Sequence, residues 1–315
     1  MPDQTAPPSP LRTSLRYLNW LYNPYHGLDT AAVYDLLSTG AATERGLYLN
    51  LGYWQQADTL DDASDALAML VGETARIGPG DTVLDVGFGF ADQDLLWAHC
   101  LQPARIIGLN ITDSQVRVAR HRVAEQGLQE QIDLRLGSAT DMPLESASVD
   151  AVLALECAFH FHTRERFFRE AWRVLRPGGR LVTADIIPMP GQRGFKARLQ
   201  QRLSWGQVAG KFVIPTENAY TRPTYHAKLA VTGFEQIRIA SIRDQVYGPL
   251  HQYLARHPQA LRRLHPIARQ HARLALRLDP AVLYRGLDYV LASAMKPQQL
   301  RPQQPGAVNR MPPPA

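Results

Sequence analysis

The sequence predicts an α/β fold built on a mainly parallel sheet with helices on both faces, and three observations carry that prediction. From Thr82 onward, short β-rich runs alternate with helical patterns: "TVLDV" (82–86), "ARIIGLN" (104–110), "IDLRLG" (132–137), "VDAVLAL" (149–155) and "GRLVTADII" (179–187). Such alternation implies βαβ units and a parallel sheet covered on both faces. The stretch "VLDVGFGFADQDLLW" (83–97) then reads as a strand, a tight turn at Gly87 and Gly89, and a helix start. Two later runs, "FEQIRIASI" (234–242) and "LDYVLASAM" (287–295), bring the strands to seven.

The elements follow in chain order. Residues 1–10 are proline-rich and read as a flexible end, and 11–80 as a helical N-terminal cap. Within the cap, "TLDDASDALAMLVGETARI" (59–77) predicts a helix capped by Thr59, with Asp62 three residues on and Leu67, Leu70 and Val71 on one face. The core is expected at 81–190 and 225–295, with a helical insertion at 249–285 and a lid at 191–224. Residues 296–315 have a disordered composition. With 315 residues and 45% hydrophobic content the chain can bury a sizeable core, and no internal repeat stands out.

Composition also bounds the setting. The only cysteines are Cys100 and Cys157, and the opening "MPDQTAPPSPLRTSLRYLNW" lacks a charged start followed by an apolar run, so a reducing, cytoplasmic compartment is expected. No apolar run approaches the roughly 20 residues of a membrane span. The net charge of +5 is concentrated at 254–277, where six arginines occur without an acid. Its first reading is a solvated basic face packed on the core, with Leu261, Leu264 and Leu274 turned inward. Contact with an anionic membrane or a carrier protein is the alternative. Nucleic acid is not the expected partner, since no Arg/aromatic groove or N-P-P-Y-type tetrapeptide is present.

Glycine suits the 87–89 turn because the bend is sharp and a Cβ would hold a ligand away from the backbone. The second strand ends at Asn110, nineteen residues after Ala91, the spacing at which nucleoside-binding folds place a ribose contact. Together with "LRLGSATDMPLESASVDAVLALE" and "EAWRVLRPGGRLVTADI", these motifs resemble class I S-adenosylmethionine-dependent methyltransferases, whose first motif is D-x-G-x-G-x-G. The resemblance covers about 82–190, resumes at "YHAKLAVTGFEQIRIASI" and includes the final strand. It implies a Rossmann-like seven-stranded sheet and S-adenosyl-L-methionine as cofactor. It further implies that Asp85, Gly87 and Gly89 line the methionine portion, that Asn110 holds the ribose, and that Ser138 and Ala139 meet the adenine. Ala91 replaces the third glycine, and Asn110 and Ser138 stand where acids are frequent, which removes charge-assisted bonds.

The polar residues of "LECAFHFH" (155–162) decide the reaction. The resemblance sharpens to sugar and natural-product O-methyltransferases acting on macrolide deoxysugars and indolocarbazole glycosides. It implies His160 as general base and Asp185, at the end of the fifth strand, as its partner. Glu156 matches a related branch that methylates carbon in prenyl or sterol substrates, and the same Glu156 can instead be a cofactor neighbour or a buried structural carboxylate. His162 is read as a capping or surface residue before the helix at Thr163. A zinc site from Cys157, His160 and His162 lacks the spacing metal ligands need, so no metal is expected. Tyr48, Tyr53 and Trp54 in "LYLNLGYW" (47–54), with Trp205, Phe212 and Tyr220 in the lid, are expected to enclose an apolar small-molecule acceptor. A cofactor-binding sensor or scaffold without turnover is the non-enzyme alternative.

Overall fold

The seven expected runs all become strands of one sheet: β1 (Thr82–Val86), β2 (Arg105–Asn110), β3 (Ile132–Leu136), β4 (Val149–Leu155), β5 (Leu175–Pro188), β6 (Glu235–Ser241) and β7 (Leu287–Met295). The computed structural model describes residues 10–23, Leu28, Ala32, Val33, Leu36 and 43–298. The strand order is β3-β2-β1-β4-β5-β7-β6. The first five strands pair in parallel, and β7 runs antiparallel to both β5 and β6.

The period-two side-chain alternation of strands divides the core between two faces. Val83, Ala151, Leu153 and Val182 join one apolar cluster, whereas Leu84, Val86, Val152, Ala154 and Leu181 join the other. The first face is covered by α2 (Leu60–Thr74), α3 (Asp92–Cys100) and α4 (Asp113–Glu125), through Leu67, Val71, Trp97 and Val116. On the opposite face lie α5 (Arg164–Val174) and α7 (Arg222–Thr232), through Phe167, Phe168, Tyr225 and Leu229. Thr59 caps α2 by accepting from the Asp62 amide, as its position before the apolar run predicts.

Several boundaries differ from expectation. Strand β5 begins at Leu175, because "RPGG" continues the strand through an irregularity opposite Val149 and Ala151. Gly179 is required there: a Cβ would approach the Arg176 and Asp150 carbonyl oxygens to 2.9 Å. Pro10 opens a helix, α1 (Pro10–Tyr22), consistent with proline's tolerance at a first helical position. The remainder of 1–10, and 299–315, lie outside the described residues. Lys296 extends the β5–β7 pairing, its amide donating to Gly179 O and its carbonyl accepting from the Gly178 amide.

The connection 191–224 carries α6 (Phe195–Lys211) and a short turn at Thr216–Asn218. Between β6 and β7 come α8 (Tyr247–Arg256), α9 (Pro266–Ala275) and α10 (Pro280–Leu283). Of the leucines expected to face inward there, Leu261 is buried and Leu264 packs beside Tyr17, but Leu274 is exposed. Among the described residues, no helix is long and apolar enough to cross a membrane.

Candidate active site

The carboxyl ends of β1, β2, β3 and β4 open into one cavity of about 220 Å³, the location at which open α/β sheets bind ligands. Its floor is the β1–α3 turn. Gly87 and Gly89 both line it, and both adopt the left-handed backbone region, with φ of +75° and +57°. A Cβ on Gly87 would come within 2.6 Å of Cys157 Cβ, whereas one on Gly89 would meet nothing closer than 3.9 Å. Ala91 is also left-handed, at φ +66°, and serves as the N-cap of α3. The alanine at the third glycine position is thus itself held in a left-handed conformation.

Asp85 is placed differently from its expected role, because its side chain does not line the cavity. It is fully buried behind the turn, where Oδ2 accepts from Gln93 Nε2 at 2.9 Å and Asp94 lies alongside. Burial raises both carboxyls, and like-charge repulsion adds to the effect at Asp94. Two buried acids in contact favour sharing a proton over a double charge. It is Gln93 that carries this arrangement to the cavity wall.

Asn110, Ser138 and Ala139 all reach the cavity. Asn110 is held by its own neighbours: Oδ1 accepts from the Thr112 amide at 3.0 Å, and Nδ2 donates to Gln115 Oε1 at 2.9 Å. Ser138 Oγ accepts from the Thr140 amide at 3.2 Å, which fixes the turn after β3.

A strap formed by residues 43–54 closes one side, pinned by three carboxylates. Asp61 accepts from the amides of Glu44, Arg45 and Gly46. Asp92 accepts from the Leu47 amide while paired bidentately with Arg122. Glu156 Oε1 accepts from the Leu51 amide at 2.7 Å and from Tyr289 Oη at 2.6 Å. Of the three aromatics of this strap expected to enclose the site, only Tyr48 lines the cavity. Trp54 packs with Leu60, Ala63 and Leu250 in a separate cluster, and Tyr53 Oη donates to Gln55. Their alternate placement follows the strap's turn at Gly52, where φ is +77°.

The end of β4 supplies the ionisable groups. Glu156 sits in the left-handed region at φ +53° and faces the cavity. Burial pushes its pKa up to about 7, against the Leu51 and Tyr289 hydrogen bonds that lower it. Cys157 also lines the cavity, its thiol donating to Val86 O. His160 lines the cavity from a short turn at Ala158–His160 and is 5% exposed. Burial lowers its pKa to about 3, opposed by a hydrogen bond to the Phe212 main chain and aided by Arg164. The imidazole is thus neutral at neutral pH. His162 is exposed and lines the cavity, while the helix cap is Thr163. Among the described residues no group of three or more His, Cys, Asp or Glu is arranged to hold a metal ion.

The expected His160–Asp185 pair is not made. Asp185 is fully buried and lies outside the cavity lining. Its Oδ2 pairs with Arg164 Nε at 2.8 Å and accepts from Tyr225 Oη at 3.1 Å, and Oδ1 accepts from the Ile186 amide at 2.9 Å. Arg164, equally buried, competes successfully because it brings a full charge and five donors to a desolvated carboxylate. Burial raises the Asp185 pKa and Arg164 opposes that rise. Arg164 Nη1 also donates to Asn218 O at 2.8 Å, and its guanidinium stands 4.8 Å from the Tyr220 ring centre. Tyr220 therefore packs on Arg164 rather than lining the cavity. Phe212 lies 6.2 Å from the His160 ring, and Trp205 packs against the core. Arg164 and Asn218 gave no signal in the sequence.

With sheet order, glycine turn and cavity in view, the fold and site define a class. The methyltransferase domain profile matches residues 84–183. A curated relative, erythromycin 3''-O-methyltransferase of Saccharopolyspora erythraea, is 38% identical over 266 residues, covering 81% of this chain and 86% of the relative. The 27-O-demethylrifamycin SV methyltransferase of Amycolatopsis mediterranei is 31% identical over 48% of this chain and 56% of its own length. The chain belongs to the class I S-adenosylmethionine-dependent methyltransferases. It is an enzyme that uses S-adenosylmethionine to methylate a small organic substrate.

Among solved structures, the [4+2]-cyclase SpnF superposes with a TM-score of 0.66 at 20% identity, covering 86% of this chain and 97% of that one. Geranyl diphosphate C-methyltransferase from Streptomyces coelicolor gives 0.63 at 18% identity, covering 87% and 99%. These likenesses concern the fold.

Proposed function

We propose that this enzyme methylates a hydroxyl oxygen on a glycosylated or polyketide-type natural product, with His160 as general base. The observation that carries the reading is the His160 imidazole in the same cavity as the glycine turn. Identity of 38% to a protein named as an O-methyltransferase of erythromycin supports it.

The cavity residues suit the cofactor. Gly87 and Gly89 offer open backbone, and Asn110, Gln115, Ser138 and Thr140 offer hydroxyl- and amide-type partners for a nucleoside. When bound, S-adenosylmethionine supplies an activated methyl on a positively charged sulfur. Glu156 and Asp92 place carboxyl oxygens on the cavity wall, where they would favour a positively charged ligand. The protein must then align the acceptor and remove one proton. The acceptor oxygen would take the methyl as the S–CH3 bond breaks, leaving neutral S-adenosylhomocysteine, and the hydroxyl proton would pass to the imidazole of His160. Because Asp185 is committed to Arg164, the imidazole works without a carboxylate partner; burial keeps it unprotonated beforehand and also makes it a weaker base.

Carbon methylation of a prenyl or aromatic acceptor is the second reading. Glu156, held by Leu51 and Tyr289 at the cavity wall, favours it as a stabiliser of developing positive charge. A panel of glycosylated macrolides, other hydroxylated polyketides and prenyl diphosphates, assayed with methyl-labelled S-adenosylmethionine, tests the choice. An O-methyl product from a hydroxylated acceptor is expected. A carbon-methylated prenyl product alone would overturn the reading.

A further inference from the structure

Asn218 lies on the connection between α6 and α7, fully buried and far in sequence from the residues it grips. Its side chain uses both ends. Nδ2 donates to the carbonyls of Phe159 at 2.9 Å and Phe161 at 2.8 Å, the two that flank His160. Oδ1 accepts from the Arg164 amide at 2.9 Å, and the Asn218 carbonyl accepts from Arg164 Nη1. A few residues earlier on the same connection, the Phe212 main chain meets the His160 ring.

We infer that Asn218 is the positioning residue of the acceptor-side turn: its amide seats His160 by clamping the peptide groups on either side, so that the 191–224 connection and the imidazole move as one unit. The local turn alone is a weak support. A three-residue turn supplies only the His160 N to Cys157 O and Phe161 N to Ala158 O bonds, and short 3₁₀ turns are marginal without tertiary partners. The two amide donors add the missing constraint from outside, and they are buried, where an unsatisfied carbonyl is expensive. Asp185 cannot supply this constraint, because its oxygens are engaged by Arg164, Tyr225 and Ile186.

The inference needs the proposed base role only for its catalytic meaning, and its test reads the turn directly. Asn218→Asp separates the two jobs of the side chain. The carboxylate still accepts from the Arg164 amide beside a cation, but it cannot donate to Phe159 and Phe161. In protein carrying 13C-labelled histidine, with the His160 signal assigned from a His160→Gln variant, N218D is expected to shift or split that ring signal. The affinity for S-adenosylhomocysteine, measured by calorimetry, is expected to stay within about threefold of wild type, since Asn218 does not line the cavity. An unmoved His160 signal in folded N218D would overturn the inference. Should N218D not fold, hydrogen exchange on the wild-type protein decides. Amides of 160–161 and 218–220 are expected to open together, and exchange at 218–220 more than about tenfold faster than at 160–161 would overturn the inference. Persistence of methyl transfer in His160→Ala, with the N218D shift present, would remove the base role and leave the positioning role intact.

Discussion

The glycine-turn side of the cavity and the His160 side are built by different means. On the first, Gly87, Gly89, Asn110, Ser138 and Ala139 come from strand ends and the turns directly after them, and all of them reach the cavity. On the second, His160 is held by residues more than fifty positions away, and its expected partner Asp185 is taken by Arg164. Backbone shape builds one half, and long-range side-chain partnerships build the other. The difference teaches that side-chain pairing beside this cavity is decided by which buried charges find each other.

The largest expected effect comes from breaking the buried pair. Arg164→Met leaves Asp185 ionisable and without its counter-charge in the core, which should destabilise the protein by about 3–5 kcal/mol. Thermal unfolding is expected to move down by roughly ten degrees. The double variant R164M/D185L should recover most of that loss. No recovery would mean that the pair does more than neutralise itself.

Next comes the glycine turn. Gly87→Ala adds a Cβ within 2.6 Å of Cys157 in a left-handed conformation, so affinity for S-adenosylhomocysteine should fall at least about thirtyfold by calorimetry. Gly89→Ala meets only the conformational strain of about 1–2 kcal/mol, or roughly tenfold. Equal losses would show that steric approach at Gly87 is not what matters.

Glu156 offers a smaller, pH-dependent effect. Its folded pKa, raised to about 7 from 4.5, favours the protonated form in the folded state. That contribution is fully present below about pH 4.5 and is lost as pH rises through 7. Glu156→Gln should therefore match wild type at pH 4.5 and exceed its unfolding midpoint by a few degrees at pH 8. The smallest change is expected from Asn110→Asp. It restores a charge-assisted acceptor, but it requires the Gln115 amide to turn, so S-adenosylhomocysteine should bind within about tenfold of wild type.

The sheet was legible because each strand is a short apolar run bounded by turn residues, and β1, β4 and β7 each contain the run read from the sequence. Thr59 as a cap was legible for the same local reason. The early start of β5 was not, since "RPGG" has turn chemistry that pairing with β4 overrides. Asp85 was expected at the ligand, but Asp94 and Gln93 draw it behind the turn. Tyr53, Trp54 and Tyr220 carried no information about facing, because an aromatic serves packing as readily as a ligand. The clamp of Asn218 on Phe159 and Phe161 spans almost sixty residues, a distance at which no spacing rule operates.

The central claim, proton removal by a neutral His160 during oxygen methylation, is tested by comparing His160→Ala and Glu156→Gln in single turnover with methyl-labelled S-adenosylmethionine and a hydroxylated acceptor. The expected result is a loss of about 10²–10⁴-fold for H160A at unchanged cofactor affinity, with E156Q within about tenfold of wild type. Full turnover in H160A together with abolition in E156Q would contradict it.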